Sequence, residues 1–506
     1  YPGISSYAQY FLDSSVLRPE PFERFCFVLG LIYLPLSFIL LYVFLNKMEE
    51  KHKFLFPVYS NNFFNKILNV IIVSVLFFWG YYILKGAELG FECWIFKIYL
   101  NYYWLRIILV LFVLLMLFRN KFKNMSSPVF FIVGIIIILA TSVTQIHTNK
   151  IMMSNPFINA HFGMLGGAIN QVANGKTILV DTLSQYGLLY PYIGALFTKI
   201  VGISILNISL FFVSLIFLSF LFIYIALSEK LGYSSWFSLL SLIAVMGISH
   251  MFYVSIILYG GVNNTYYQYH PIRVIFGSFF IWFALKYLKN SSTIKYIIGL
   301  FMCGIGFLWN FDTGIPLIIS WLGFLIFNTM STNKLSAKEK LVESIRHALL
   351  VIMTLVLVIF IYNIFAYLRT HRFPDWKDFI EFQRLVVYYG YYMTPMRKID
   401  LWNIVIIIYA VVLFSCMVAL LKKKVTDSHR YYIFIALFGI GIFSYYQGRS
   451  LVSNLFILTY PAVILVAFLL DDFSRRYRIN KNNLRYVLNN NIFRFDFIKM
   501  FFLSII

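Results

Sequence analysis

Charge is what this sequence has least of. Charged residues fill 12% of its 506 positions, against roughly 25% in soluble globular proteins. Acids are scarcer still, 20 Asp and Glu against 42 Lys and Arg, for a formal charge of +22. So few polar groups cannot coat a soluble protein of this length. A soluble multi-domain enzyme is excluded, and so is a disordered or fibrous chain. The excess positive charge lies in short runs between apolar spans, which excludes a nucleic-acid partner. Cysteine is sparse too: Cys26, Cys93, Cys303 and Cys416 are far apart and suggest neither a disulfide framework nor a zinc site. There is no nucleotide-phosphate loop, zinc signature, nucleophile elbow, internal repeat or ion-filter loop. The sequence starts at Tyr1, not Met, and reads as a trimmed chain with no signal-peptide pattern.

What is present is apolar. Hydrophobic residues make up 61% and aromatics 20% of the chain, and the mean hydropathy is +0.80. A crossing helix needs about 20 apolar residues. Such spans are predicted near 26–46, 66–85, 101–118, 128–146, 203–227, 236–258, 271–289, 295–310, 313–330, 347–368, 401–421, 430–446 and 452–470. The expected fold is therefore all-α, a polytopic integral membrane protein with about 13 transmembrane helices. One helical membrane domain is expected over 1–471, followed by a basic amphipathic tail, 472–506, lying on the cytoplasmic surface. A shorter apolar stretch, 187–202, reads as a re-entrant or interfacial helix.

Counting these spans in order puts every basic run on one side. The runs include Lys47–Lys53, Arg119–Lys123, Lys286–Lys295, Lys334–Arg346, Lys422–Lys424 and Arg475–Arg478. That side is expected to be the cytoplasm. The opposite face receives 147–185, 259–270, 310–314, 369–400 and 445–450, which are rich in Tyr, Asn, Gln, His and Gly. One functional site on that outer face is the expectation, rather than a midplane transport site.

The candidate residues follow from that face. Asn174-Gly175 stops a helix, and Lys176, Asp181, Gln185 and Tyr186 follow in a polar, partly extended stretch. The bland reading makes Asp181 a cap of the next helix; the functional one makes it an acid at a membrane surface. His270-Pro271-Ile272-Arg273 opens a span, so Arg273 either snorkels to lipid phosphate or clamps a substrate phosphate. Asp312 can cap the helix beginning near Thr313 or stand as a second acid. Gln447-Gly448-Arg449 places a lone cation between two outer helix ends, with Gly448 leaving room for a ligand. Arg273, Arg449 and Lys176 together could make a phosphate pocket. Tyr and Trp in 369–400 suit either sugar stacking or an interfacial belt. His250 and His347, inside apolar spans, read as packed residues. His161 with Asp181 leaves a divalent metal open, on the weak basis of two ligands.

The segment His161-Phe162-Gly163, Ala168, Gly175-Lys176, Asp181 and Ser184-Gln185-Tyr186-Gly187 resembles the first large outer loop of the GT-C superfamily of membrane glycosyltransferases. The resemblance covers about a tenth of the chain and implies a polyprenyl-phosphate sugar donor. It also implies a glycan, lipid or protein acceptor, membrane lipids as surroundings, surface helices within 147–202 and no nucleotide. Many members keep an acid just after the span before this loop. Gln145–Lys150 has none here, which leaves the proton-accepting role to Asp181, His161 or Asp312. Gln185, Tyr186, His270, Arg273, Asp312, Gln447, Arg449 and Lys176 would hold substrate. An O-antigen-type polymerase or ligase and a lipid-linked glycan flippase stay as alternatives, since a basic outer pocket alone does not separate them.

Overall fold

The computed structural model describes residues 20–30, 33, 128–146, 156–232, 236–258, 267–391, 393–396, 401–450 and 452–476. The spans expected at 66–85 and 101–118, most of 26–46 and the tail beyond Arg476 lie outside these residues. Among the described residues the secondary structure is helical, with isolated bridge residues at Ile178, Thr182 and Tyr391 and no strand.

A helical run, α1, covers 21–30. Then come α2 (Pro128–Val143), α3 (Pro156–Ala173), α4 (Tyr190–Val201), α5 (Ile205–Leu231) and α6 (Trp236–Leu258). A π turn, His270–Val274, leads into α7 (Ile275–Lys289), followed by α8 (Thr293–Trp309), α9 (Phe311–Ser331) and α10 (Ala337–Thr370). The remainder is α11 (Trp376–Val387), α12 (Leu401–Leu421), α13 (Asp427–Gly448), α14 (Val452–Leu458) and α15 (Tyr460–Arg476). Five of these described helices are long and apolar enough to cross a membrane: α5, α7 with its π turn, α9, α10 and α12.

Helix starts follow side-chain caps. Ser204 accepts from the Asn207 N–H at α5, and Ser336 and Glu339 form a reciprocal capping box at α10. Thr426 and His429 do the same at α13. One expected span is broken: 452–470 becomes α14 and α15, separated at Thr459. Pro461 explains the break, because it brings no N–H and its ring crowds the carbonyl four residues back. The 369–400 stretch is not only loop either. Asp375 caps α11, accepting from the N–H groups of Lys377 and Asp378.

The core centres on α9 against α13, with α7 and α5 beside them. Trp321 of α9 is fully buried among Phe280, Phe324 and Phe434, with ring centroids 4.9–6.1 Å away. α10 differs. From Ala348 to Leu368 it carries no charge, a length of about 32 Å at 1.5 Å per residue, close to one hydrocarbon thickness. Leu349, Ile352, Met353, Val356 and Phe360 on it point outward. His347 and Arg369 bracket that stretch.

The ends of the bundle are chemically distinct. At one end Glu229 of α5 binds Lys286 (2.6 Å) and Lys289 (2.8 Å) of α7, and Lys230 donates to Ser428 at the start of α13 (2.6 Å). Tyr432 donates to Asp472 of α15 (2.7 Å) at that same end. There too His347 is wedged between the Tyr296 hydroxyl (2.8 Å) and the Thr329 hydroxyl (3.1 Å), a packed histidine that joins α8, α9 and α10. Lys230 and the basic residues within 286–295, 340–347 and 429–430 thus share one end of the described helices.

Candidate functional site

The other end is built on the turn between α8 and α9. Trp309 donates its indole N–H to the Pro271 carbonyl (3.2 Å), and Asn310 donates its amide to the Tyr186 carbonyl (2.7 Å). Backbone N–H groups of Leu188 and Leu189 both reach the Leu308 carbonyl. These bonds press 186–189 against 308–310. Gly187 makes the approach possible: a Cβ there would collide with the Trp309 carbonyl oxygen. Asn310, not Asp312, caps α9, accepting from the Thr313 N–H (3.1 Å) and hydroxyl (2.9 Å). The cap sits two residues earlier than expected because α9 starts at Phe311. Asp312 is thereby released for another use.

That use is Arg273. Its guanidinium pairs with Asp312 (3.1 Å) and donates to the Gln268 carbonyl (2.7 Å). It lies over the rings of Tyr445 (4.3 Å) and Tyr186 (5.4 Å). Arg273 is 3% exposed and Asp312 34%. The arginine therefore does not snorkel; it turns inward and is clamped, with its Nε left without a hydrogen-bond partner. The π turn at His270–Val274 sets this direction, and His270 itself is buried against Phe220 (5.2 Å).

Tyr186 ties this cluster together. Burial pushes its hydroxyl up to about 12, opposed by the nearby positive charges of Arg273 and Arg449. His161 of α3 belongs to the same neighbourhood: burial, then the charge of Arg449, lowers its pKa and keeps the imidazole neutral at pH 7. Arg449 reaches the Tyr391 carbonyl at 3.5 Å, while its buried Nε has no hydrogen-bond partner. Gln447 is buried and donates to Glu23 of α1 (3.2 Å). The structure thus brings together His161, Tyr186, Arg273, Asp312 and Arg449.

Asp181 sits elsewhere. It is not in an extended piece: 177–182 is a tight loop with Leu179 at φ +62°. Its carboxylate accepts from the Thr177 N–H (3.0 Å) and pairs with Arg372, beyond the end of α10. It caps its own loop, not the following helix. Two further bonds fasten the loop to α10 and to the cap of α11, and a third ties α3 to α10. Tyr362 donates to the Ile178 carbonyl (2.8 Å), Asp375 N–H to the Leu179 carbonyl (2.7 Å) and Arg369 to the Val172 carbonyl of α3 (3.2 Å). Lys176 is exposed and Gln185 half-buried. Trp376 is spoken for by packing: its indole donates to Asn363 (3.0 Å) and its ring abuts Tyr362 and Phe379.

Sequence reading missed Glu23 and Arg24, which α1 carries to Gln447 and to the 391–396 segment. The available signal was an acid–base pair just ahead of an apolar span. Among the described residues no three His, Cys, Asp or Glu side chains gather as a metal set. The chain matches no family model, no curated protein and no solved structure.

Proposed function

We propose that this protein is an integral membrane glycosyltransferase of the GT-C type. It moves a sugar from a polyprenyl-phosphate donor to an acceptor hydroxyl on the extracytoplasmic side. In this reading about 13 helices cross the cytoplasmic membrane of a prokaryote, the lysine-rich end facing the cytoplasm. The observation that carries it is the gathering of His161, Tyr186, Arg273, Asp312 and Arg449 at the end of the bundle away from the lysines.

Each residue then has a task. Arg449 has an unused buried Nε and takes the donor phosphate. Arg273, already neutralised by Asp312, adds field rather than a free charge, and fixes Tyr186 and Tyr445 beside the phosphate. Neutral His161 accepts the acceptor hydroxyl proton. The acceptor oxygen attacks the anomeric carbon, the carbon–oxygen bond to phosphate breaks, and polyprenyl phosphate leaves with the electron pair. One displacement inverts the configuration. Asp181 is the competing proton acceptor, and its ion pair with Arg372 weighs against it.

The test is sugar transfer in proteoliposomes from a panel of radiolabelled polyprenyl-phosphate sugars, with membrane extract as acceptor. His161→Gln is expected to abolish turnover and retain donor binding, while Asp181→Asn keeps measurable turnover. Loss in Asp181→Asn alone would move the base to Asp181. No turnover with any donor, together with flux of labelled lipid between leaflets, would replace the enzyme by a flippase.

A further inference from the structure

The break at Thr459 leaves α14 as a separate short helix, and one side chain on it touches two parts of the site. Asn454 is 2% exposed. Its Oδ1 accepts from the Tyr269 hydroxyl (3.0 Å), and its Nδ2 donates to the Arg449 carbonyl (2.8 Å). A buried amide among apolar side chains is costly unless both ends are matched, and here both are. Tyr269 stands at the head of the π turn that carries Arg273, and its carbonyl accepts the Arg273 N–H (2.6 Å). One amide therefore joins the backbone of Arg449 to the turn that aims Arg273. The Arg449 guanidinium reaches Tyr391 at 3.5 Å, long for such a bond, and its buried Nε has no hydrogen-bond partner. Where it stands is thus set by its backbone. The Arg449 N–H is held by the Tyr445 and Tyr446 carbonyls of α13, and the Arg449 carbonyl by Asn454. Few side chains replace that amide: Leu can neither accept nor donate, and ionised Asp accepts only.

We infer that Asn454 is a positioning residue of this site, which through Tyr269 and the Arg449 carbonyl fixes the Arg449 guanidinium relative to the π turn that carries Arg273. This rests on the transfer reading above for its consequence in turnover, and adds Asn454 and Tyr269, which that reading did not use.

The experiment reads His161 in the full chain in nanodiscs, because the charge of Arg449 acts on it. Diethyl pyrocarbonate modifies neutral imidazole, so its rate on the His161 peptide against pH gives a midpoint. Arg449→Gln is expected to raise that midpoint. Asn454→Leu should raise it too, by a smaller amount, and Tyr269→Phe by less again. In the Arg449→Gln background neither should add anything, which a general loosening of the fold would not reproduce. Tyr269→Phe deletes one oxygen, and it decides the matter if Asn454→Leu fails to fold. A midpoint that stays at the wild-type value in the folded variants, or that moves as far without Arg449 as with it, would overturn the positioning role. Sugar transfer is measured beside it. There kcat/KM is expected to fall roughly tenfold in Asn454→Leu, as for one lost buried hydrogen bond that orients a binding group. A shifted midpoint with no transfer by the wild type from any donor would keep the positioning role and overturn the transfer reading alone. Wild-type transfer with a stationary midpoint in the variants would do the reverse.

Discussion

Glu229 and Arg273 are both buried ions, on α5 and at the start of α7, near opposite ends of the bundle. Glu229 is 1% exposed, and the two lysines that reach it are 37% and 50% exposed. Arg273 is 3% exposed and held by one carboxylate that is 34% exposed. In each pair the exposed member can regain water if its partner is lost, whereas the buried member cannot. The surroundings differ more than the pairs do. The glutamate sits between two lysines that pair with it, each half in solvent. The arginine is fixed by a carbonyl and an aromatic face, with its Nε left over. A carboxylate held by two cations fastens helices together, and a guanidinium with a spare donor can take a ligand.

The largest expected effect breaks the lysine–glutamate node. Replacing both Lys286 and Lys289 by Gln leaves Glu229 buried without a cation, at a cost of about 3–5 kcal/mol. Either single change should cost under about 1 kcal/mol, because the other lysine remains. Thermal unfolding in detergent checks this, and a double variant no worse than the singles would show that Glu229 is hydrated. Asp312→Asn comes next. It strands the Arg273 charge, but the Gln268 carbonyl and Tyr445 still offset part of it, so about 2–3 kcal/mol is expected, with transfer lost as well. Arg273→Lys should not restore activity, since an ammonium cannot fill the planar slot over Tyr445.

A smaller effect is read by pH. Burial and Arg449 hold the His161 pKa below its ordinary 6.5. The unfolded chain therefore binds more protons than the folded one as acid is added. The contribution of this group to stability is intact above about 6.5 and is lost as pH falls through the lowered value. Transfer should show an acid limb below 6.5, and Arg449→Gln should move it upward. A limb that does not move in that variant would separate His161 from Arg449.

Much of this frame is legible in the residues. The described helices overlap the apolar runs, α6 and α12 matching theirs end to end while α10 begins ten residues before its own, and five of them reach the length that hydrocarbon thickness demands. Pro461 was visible too, yet its effect on a buried helix depends on whether neighbours satisfy the freed carbonyls. The site was legible as a set of residues and not as a set of pairs. Nothing local says that Asp181 meets Arg372, or that Asp312 meets Arg273, since each pair joins elements far apart in the chain. Asn310 was passed over for Asp312 as the cap, although either residue type caps well. Where the helix begins decided it, and packing of 186–189 on 308–310 fixes where it begins.

The smallest expected effect bears on the choice between the two proton acceptors. Arg372 is 62% exposed, so removing it as Arg372→Gln should cost under about 1 kcal/mol in stability. Its loss takes a positive neighbour from Asp181 and leaves the Thr177 N–H in place. If Asp181 takes the proton in transfer, the rate must fall in this variant, because the carboxylate loses the partner that fixes its position. If His161 takes it, the rate and its acid limb stay near wild type, because His161 is tuned by burial and Arg449 and not by Arg372. A near-normal rate together with a near-normal melting temperature is the expected pair of results. A large fall in rate at an unchanged melting temperature would assign the chemistry to the loop held by α10 and α11, leaving the Arg273 cluster to bind substrate only.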